Sequence, residues 1–143
     1  MISRPASSTL AEMILRAGAQ VSQNLSIRLK PLGIQVDEMR VLQALSAEGG
    51  LSMRELSEEL FISGPTLTKM ADRLVSNNLV YRTQDPQDRR RVRLHLTEMG
   101  SESARDGAAI ALEFQQHLTD QFSPADFQEM LSALFGQAAQ KNK

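Results

Sequence analysis

Apolar residues return at Leu10, Met13, Ile14, Ala17, Val21, Leu25 and Leu29, close to the 3.6-residue period of an amphipathic helix. Thr9 followed by Glu12 has the spacing of a capping box, so a first helix is expected from Thr9 to Lys30. Pro31 stops it, and Leu32-Gly33-Ile34 reads as a turn. A second helix is expected from about Val36 to Ala47, with Met39, Leu42 and Leu45 inward and Gly49-Gly50 at its end. Ser52-Met53-Arg54-Glu55 is a further capping box, opening a short third helix with Leu56 and Leu60 inward. Phe61-Ile62 makes a tight connection to a fourth helix capped by Ser63, where Pro65 is tolerated in the first turn. Leu67, Met70, Ala71, Leu74 and Val75 form its inner stripe, while Thr66, Thr68, Lys69 and Arg73 face outward. Asn77-Asn78 ends it, because Asn tolerates the left-handed conformation of a C-cap.

The period then falls to 2. Leu79 to Gln84 reads as one strand, and Val92, Leu94 and Leu96 alternate with Arg91, Arg93 and His95 in a second. The polar segment Asp85-Pro86-Gln87-Asp88-Arg89-Arg90 joins them as the tip of a hairpin, and Arg91 and Arg93 are expected on its open face. Thr97 caps a long helix from about Glu98 to Gln121, and Ser123-Pro124 opens a last one carrying Phe127, Met130, Leu131, Leu134 and Phe135. The expected fold is mainly α with a small β-hairpin: a winged helix-turn-helix framed by N- and C-terminal helices. No linker is long enough to divide the 143 residues, so one domain is expected. Within it, 1–34 and 98–143 would supply dimerisation helices and 35–97 the DNA-binding region.

Charge sharpens this picture. The whole chain carries a net −1. From Phe61 to His95, however, Lys69, Arg73, Arg82, Arg89, Arg90, Arg91 and Arg93 outnumber Asp72, Asp85 and Asp88. That stretch is therefore +4 and the remainder −5, an asymmetry that points to a polyanionic partner. A helix of about 10–12 Å diameter fits the major groove, where base edges carry a readable donor and acceptor pattern. Ser63, Gly64, Pro65, Thr66, Thr68 and Lys69 are the expected readout residues, with Arg73 on the same outer face. Arg89 and Arg90 at the hairpin tip suit a narrow minor groove, with Asp88 orienting a guanidinium and Arg91 near phosphates.

Several classes are excluded or disfavoured. The absence of cysteine removes disulfides, thiol catalysis and Cys-ligated zinc. His95 and His117 are too few and too far apart in sequence for a metal site. No Ser/His/Asp, paired-carboxylate or Gly-rich phosphate motif stands out, so neither an enzyme nor a bound cofactor is expected. Met1 to Ser8 lacks the apolar core of a signal peptide, and no apolar run spans a bilayer, so the expectation is a cytoplasmic protein without a membrane partner. A winged-helix protein-interaction module without DNA binding is the alternative, and an RNA-binding variant a weaker one for want of aromatic stacking platforms.

Five segments share a register with one known family: Leu56-Ser57-Glu58-Glu59-Leu60, Thr66 to Leu74, Leu79-Val80-Tyr81-Arg82, Asp85 to Arg90, and Leu94-His95-Leu96-Thr97-Glu98-Met99-Gly100. With Arg28-Leu29-Lys30-Pro31-Leu32, they resemble a MarR-type transcriptional regulator over nearly the whole chain. The Asp-Pro-x-Asp-Arg-Arg wing followed by Leu-Thr-x-x-Gly is the most specific part. The resemblance implies a homodimeric, ligand-responsive repressor of nearby genes, in which Arg89 or Arg90 enters the minor groove and Asp72 pairs with a wing arginine. Two departures are visible. Asn77-Asn78 stands where many members have Lys-Gly, and Arg91 with Arg93 makes the wing unusually basic.

The phenylalanines Phe114, Phe122, Phe127 and Phe135 are expected to form a core shared between two subunits. A two-fold dimer would place its recognition helices on half-sites about one DNA turn apart, hence on a palindromic operator. A small aromatic or carboxylate effector would sit between the dimer helices and the winged region, against Met13, Ala17, Glu38, Met39 and Met70. Arg16 or Arg40 would anchor its carboxylate.

Overall fold

Capping residues set most element boundaries. The computed structural model describes residues 9–119 and 122–139. Thr9 caps helix α1 (Leu10–Leu29) by accepting from the Glu12 N–H at 3.2 Å. The reciprocal half of the expected box is replaced by an ion pair, Glu12 with Arg16 at 3.1 Å. A 3₁₀ turn over Lys30–Leu32 follows, ended by Gly33 in the left-handed region. Helix α2 (Val36–Glu48) begins where the Gln35 N–H donates to the Glu38 carboxylate at 3.0 Å. Strand β1 (Leu51–Ser52) leads directly into α3 (Met53–Leu60), whose Ser52/Glu55 capping box is complete at 3.1 and 2.8 Å. Helix α4 (Gly64–Ser76) is capped by Ser63.

The expected hairpin is part of a larger sheet. Strands β2 (Val80–Gln84) and β3 (Val92–Leu96) pair antiparallel, and β1 adds to the far side of β3 in the order β1-β3-β2. Leu51 faces Leu94 and Ser52 faces Arg93 across this extra pairing. A two-residue strand has no period to read, so the sequence alone shows only two of the three strands.

Helix α5 (Glu98–Leu118) follows β3. It ends before the expected Gln121, and residues 120 and 121 lie outside the described residues, as does the Met1–Ser8 segment. Helix α6 (Pro124–Ala139) is opened by the Ser123 hydroxyl, which accepts from the Asp126 N–H at 3.0 Å. No helix among the described residues is long and apolar enough to cross a membrane.

Two compact units make up the chain, Met1–Ile110 and Ala111–Lys143. In the first, Met39, Val41, Leu42 and Leu45 of α2 meet Leu56 of α3, Leu67, Ala71 and Leu74 of α4, and Leu94 of β3. Each buried leucine contributes about 2 kcal/mol by leaving water, so this cluster fixes α4 against its supports. In the second unit Phe114 is buried, whereas Leu112, Leu118, Phe122, Phe127, Met130, Leu134 and Phe135 are exposed.

Candidate nucleic-acid interface

The outer face of α4 begins with its cap. The Ser63 hydroxyl donates to the Thr66 hydroxyl at 2.8 Å, and the Thr66 N–H donates back to it at 3.4 Å. Thr68 donates its hydroxyl to the Gly64 carbonyl one turn earlier, at 3.0 Å. Both hydroxyl oxygens can still accept from a base amino group. Ser63, Gly64, Pro65, Thr66, Thr68 and Lys69 are all exposed. A Cβ placed on Gly64 would meet nothing within 4 Å, so the backbone there is open to close approach.

The seven cations of the basic stretch divide into two sets. Arg73 reaches inward, its Nε 3.5 Å from a carboxylate oxygen of Glu38, a residue only 1% exposed. Removing Arg73 would leave a buried charge without its ion-pair partner, so this residue serves folding as much as any ligand. Arg82 of β2 pairs with Asp72 of α4, fastening the wing's first strand to the helix. Arg93, expected on the open face, is drawn to the sheet edge and is only 28% exposed. Its guanidinium donates to the Gly50 carbonyl at 2.7 Å and lies within 3.4 and 3.7 Å of Asp85 and Glu55. The β1 pairing is what turns that face inward, since Ser52 stands opposite Arg93.

The other set stays outward. Among the described residues no hydrogen bond or ion pair engages the side chains of Lys69, Arg89 or Arg90, all exposed. Arg91 is held loosely, 3.7 Å from Asp88. Behind these cations the tip is stiff. The Asp85 carboxylate accepts from the Gln87 N–H at 2.9 Å, and the Asp88 carboxylate accepts from the Arg90 N–H at 3.0 Å. Two successive Asx turns therefore explain the Asp-Pro-x-Asp spacing. The Asp85 N–H also donates to the Arg91 carbonyl and the Arg91 N–H to the Asp88 carbonyl, both at 2.9 Å. The bond from Gln87, then Arg93, holds the Asp85 carboxyl below its ordinary value of 3.8. This turn is fully braced above that value and loses the brace as pH falls through the lowered one.

Thr97 and Gly100 anchor the base of the wing to α5. The Thr97 hydroxyl donates to the Asn78 carbonyl at 2.6 Å and accepts from the Gly100 N–H at 2.9 Å. Asn78 itself takes the left-handed conformation that ends α4, at φ 58°. Across the sheet, His95 stacks on Tyr81 with ring centroids 5.1 Å apart and shares a 2.8 Å hydrogen bond with Thr83, so its ring is part of the wing's frame.

The five expected effector residues do not gather. Glu38 and Met39 are buried in the core, Met70 packs against it, and Met13 and Ala17 lie exposed on α1. None of the five lines either of the two cavities recorded among the described residues. Arg16 is paired with Glu12, while Arg40 donates to Asp37 at 2.8 Å and to the Leu60 carbonyl at 2.7 Å. Among the described residues no group of three His, Cys, Asp or Glu side chains is placed to hold a metal ion.

Two residues carry weight of a kind that the sequence pattern did not assign to them. Glu38, expected against an effector, instead caps α2 through the Gln35 N–H and ties that helix to α4 through Arg73; its place three residues beyond Gln35 was the available signal. Phe61 closes α3 in the left-handed region, at φ 56°, where Gly or Asn is the usual occupant. A bulky side chain costs about 1 kcal/mol or more there, and no glycine marks the position.

Comparison with known proteins agrees with this geometry. The MarR family model matches residues 32–91, from the end of the 3₁₀ turn to the tip of the hairpin. The multiple antibiotic resistance protein MarR of Salmonella typhimurium is 30% identical over 107 residues, covering 75% of this chain and 69% of that protein. An uncharacterized helix-turn-helix regulator of Bacillus subtilis, YsmB, is 33% identical over 100 residues, or 70% of this chain. The chain spans less than two thirds of the length of the first curated relatives it matches, 65% of YsmB and 60% of a second Bacillus subtilis regulator, YkoM. The crystal structure of a Staphylococcus aureus MepR–DNA complex shares the fold, with a TM-score of 0.79 at 23% identity over 95% of this chain and all of that one. With a basic wing braced on α4, and with this likeness in both sequence and fold, the chain belongs to the MarR family of winged helix-turn-helix transcriptional regulators.

Proposed function

We propose that two copies of the chain bind a palindromic duplex DNA site and repress the adjoining genes. Helix α4 enters the major groove through Ser63, Gly64, Pro65, Thr66, Thr68 and Lys69, and Arg89 and Arg90 enter the flanking minor groove. The observation that carries this reading is the division of the cations. Arg73, Arg82 and Arg93 are paired with carboxylates of the fold itself, while Lys69, Arg89 and Arg90 stand outward on a stiffened frame with no hydrogen bond or ion pair to their side chains among the described residues. The MepR–DNA complex, whose protein has the same fold, supports the partner class. Asp72 acts by holding the wing through Arg82, and Asp88 by orienting Arg91 and the tip backbone.

The exposed apolar side chains of α6 and the end of α5, together with Leu10, Ile14 and Leu15 of α1, favour a second copy as their cover. Glutamate at both Phe127 and Leu134 is expected to yield monomers at about 10 µM and to weaken DNA binding at least 100-fold, because two linked half-sites become one. Light scattering after gel filtration, with anisotropy on a labelled duplex from immediately upstream of the chain's own gene, measures both. A wild-type monomer, or equal affinity for that duplex and one of equal length from coding sequence, contradicts the proposal. A response to a small carboxylate or phenol belongs to the same proposal, and a thermal-shift screen of such compounds tests it.

A further inference from the structure

Phe61 is the most exposed large apolar side chain among the described residues, at 93%. Its backbone is held from both sides. The Phe61 N–H donates to the Ser57 carbonyl, and the Ile62 N–H donates to that same oxygen at 3.3 Å. The Ser57 hydroxyl donates to the Ile62 carbonyl at 2.6 Å, and Arg40 donates to the Leu60 carbonyl at 2.7 Å. The turn thus forces a left-handed conformation on a residue that packs against almost nothing. Folding gains neither burial nor backbone ease from a phenylalanine here, and glycine or asparagine would satisfy the same turn. Strain of this kind, imposed by surrounding bonds at an exposed site, marks a position whose side chain is used by a partner.

Its place names the partner. Phe61 precedes by two residues the Ser63 cap of α4, so the ring stands at the leading end of the helix proposed to enter the groove. Of its exposed sequence neighbours Ser63, Gly64, Pro65 and Thr66, only the small ring of Pro65 is apolar, too little to make with Phe61 the kind of patch that a protein partner would cover. A single aromatic ring among hydrogen-bonding groups suits the one apolar feature of the major-groove floor, the thymine C5-methyl group. Resting on the DNA reading above, we infer that Phe61 is a specificity residue whose ring covers a thymine methyl at the edge of the half-site.

The test pairs two variants with two duplexes. Phe61→Gly and Phe61→Asn are expected to melt no lower than the wild type, because both relax the turn, yet to bind the upstream duplex about tenfold more weakly. Replacing thymine by uracil in that duplex removes only the methyl groups. It should cost the wild type several-fold in affinity and the two variants markedly less. Variants that bind as the wild type does, or a uracil effect of equal size in wild type and variants, overturns the assignment of Phe61 while leaving DNA binding intact. A wild-type chain that binds neither duplex removes the DNA reading itself, and this assignment with it.

Discussion

Alanine at both Arg89 and Arg90 is expected to weaken DNA binding about a thousandfold. The proposed dimer would present each residue twice, so four cations would be lost, each contributing about 1 kcal/mol against a tenfold change per 1.4 kcal/mol. The melting temperature should hold. The tip is built from the Asp85 and Asp88 carboxylates and the backbone, and neither arginine side chain takes part in that framework. The salt dependence should change in step, its logarithmic slope shrinking from about −7 to about −4 as four of eight neutralising cations go. Anisotropy titrations at several salt concentrations measure both quantities. A loss under tenfold, or an unaltered slope, would take the wing off the DNA.

Alanine at Gly100 is expected to act on folding instead, and strongly. A Cβ at that position would lie 1.8 Å from the Leu79 carbonyl oxygen, a backbone atom that cannot step aside. The same carbonyl accepts from the Thr97 N–H at 3.1 Å, while Thr97 also grips the Asn78 carbonyl, so the junction of α4, β2 and α5 would have to open. Overpacking of this kind costs about 3 kcal/mol, or roughly 10 °C in melting temperature for a chain of this size. Calorimetry compares it with Gly64→Ala, where a Cβ meets nothing within 4 Å. Equal melting temperatures for the two would show that α5 does not approach the Leu79 backbone this closely.

That junction shows how sequence and structure divide the information. Leu-Thr-x-x-Gly is legible as a motif, and periodicity places every helix to within a few residues. The reason for the glycine is a contact between segments 21 residues apart, Leu79 and Gly100, which no local pattern encodes. Arg93 is instructive in the opposite sense. Alternation with Val92 and Leu94 puts it correctly on the face opposite Leu94, but that side is not open, because Ser52 of an unanticipated strand lies beside it and Gly50, Glu55 and Asp85 take its charge. For Arg73 the outward half of α4 is right by period, yet its length lets the guanidinium turn back to buried Glu38. Local period therefore reports which face a cation starts from. Tertiary carboxylates decide whether it stays there.

The charge asymmetry along the chain takes a new meaning from this sorting. Of the seven cations in the +4 stretch, Arg73, Arg82 and Arg93 brace the fold, and Arg91 is lightly held at the tip. Lys69, Arg89 and Arg90 remain for a polyanion, with Arg91 beside them, four cations for each protomer. The most direct measurement is the affinity of the wild-type protein for its upstream duplex as a function of salt. Eight DNA-facing cations in the proposed dimer predict a slope of log K against log salt near −7, a loss of about 10⁴-fold between 50 and 200 mM. A slope near zero would contradict a DNA-binding role for these residues.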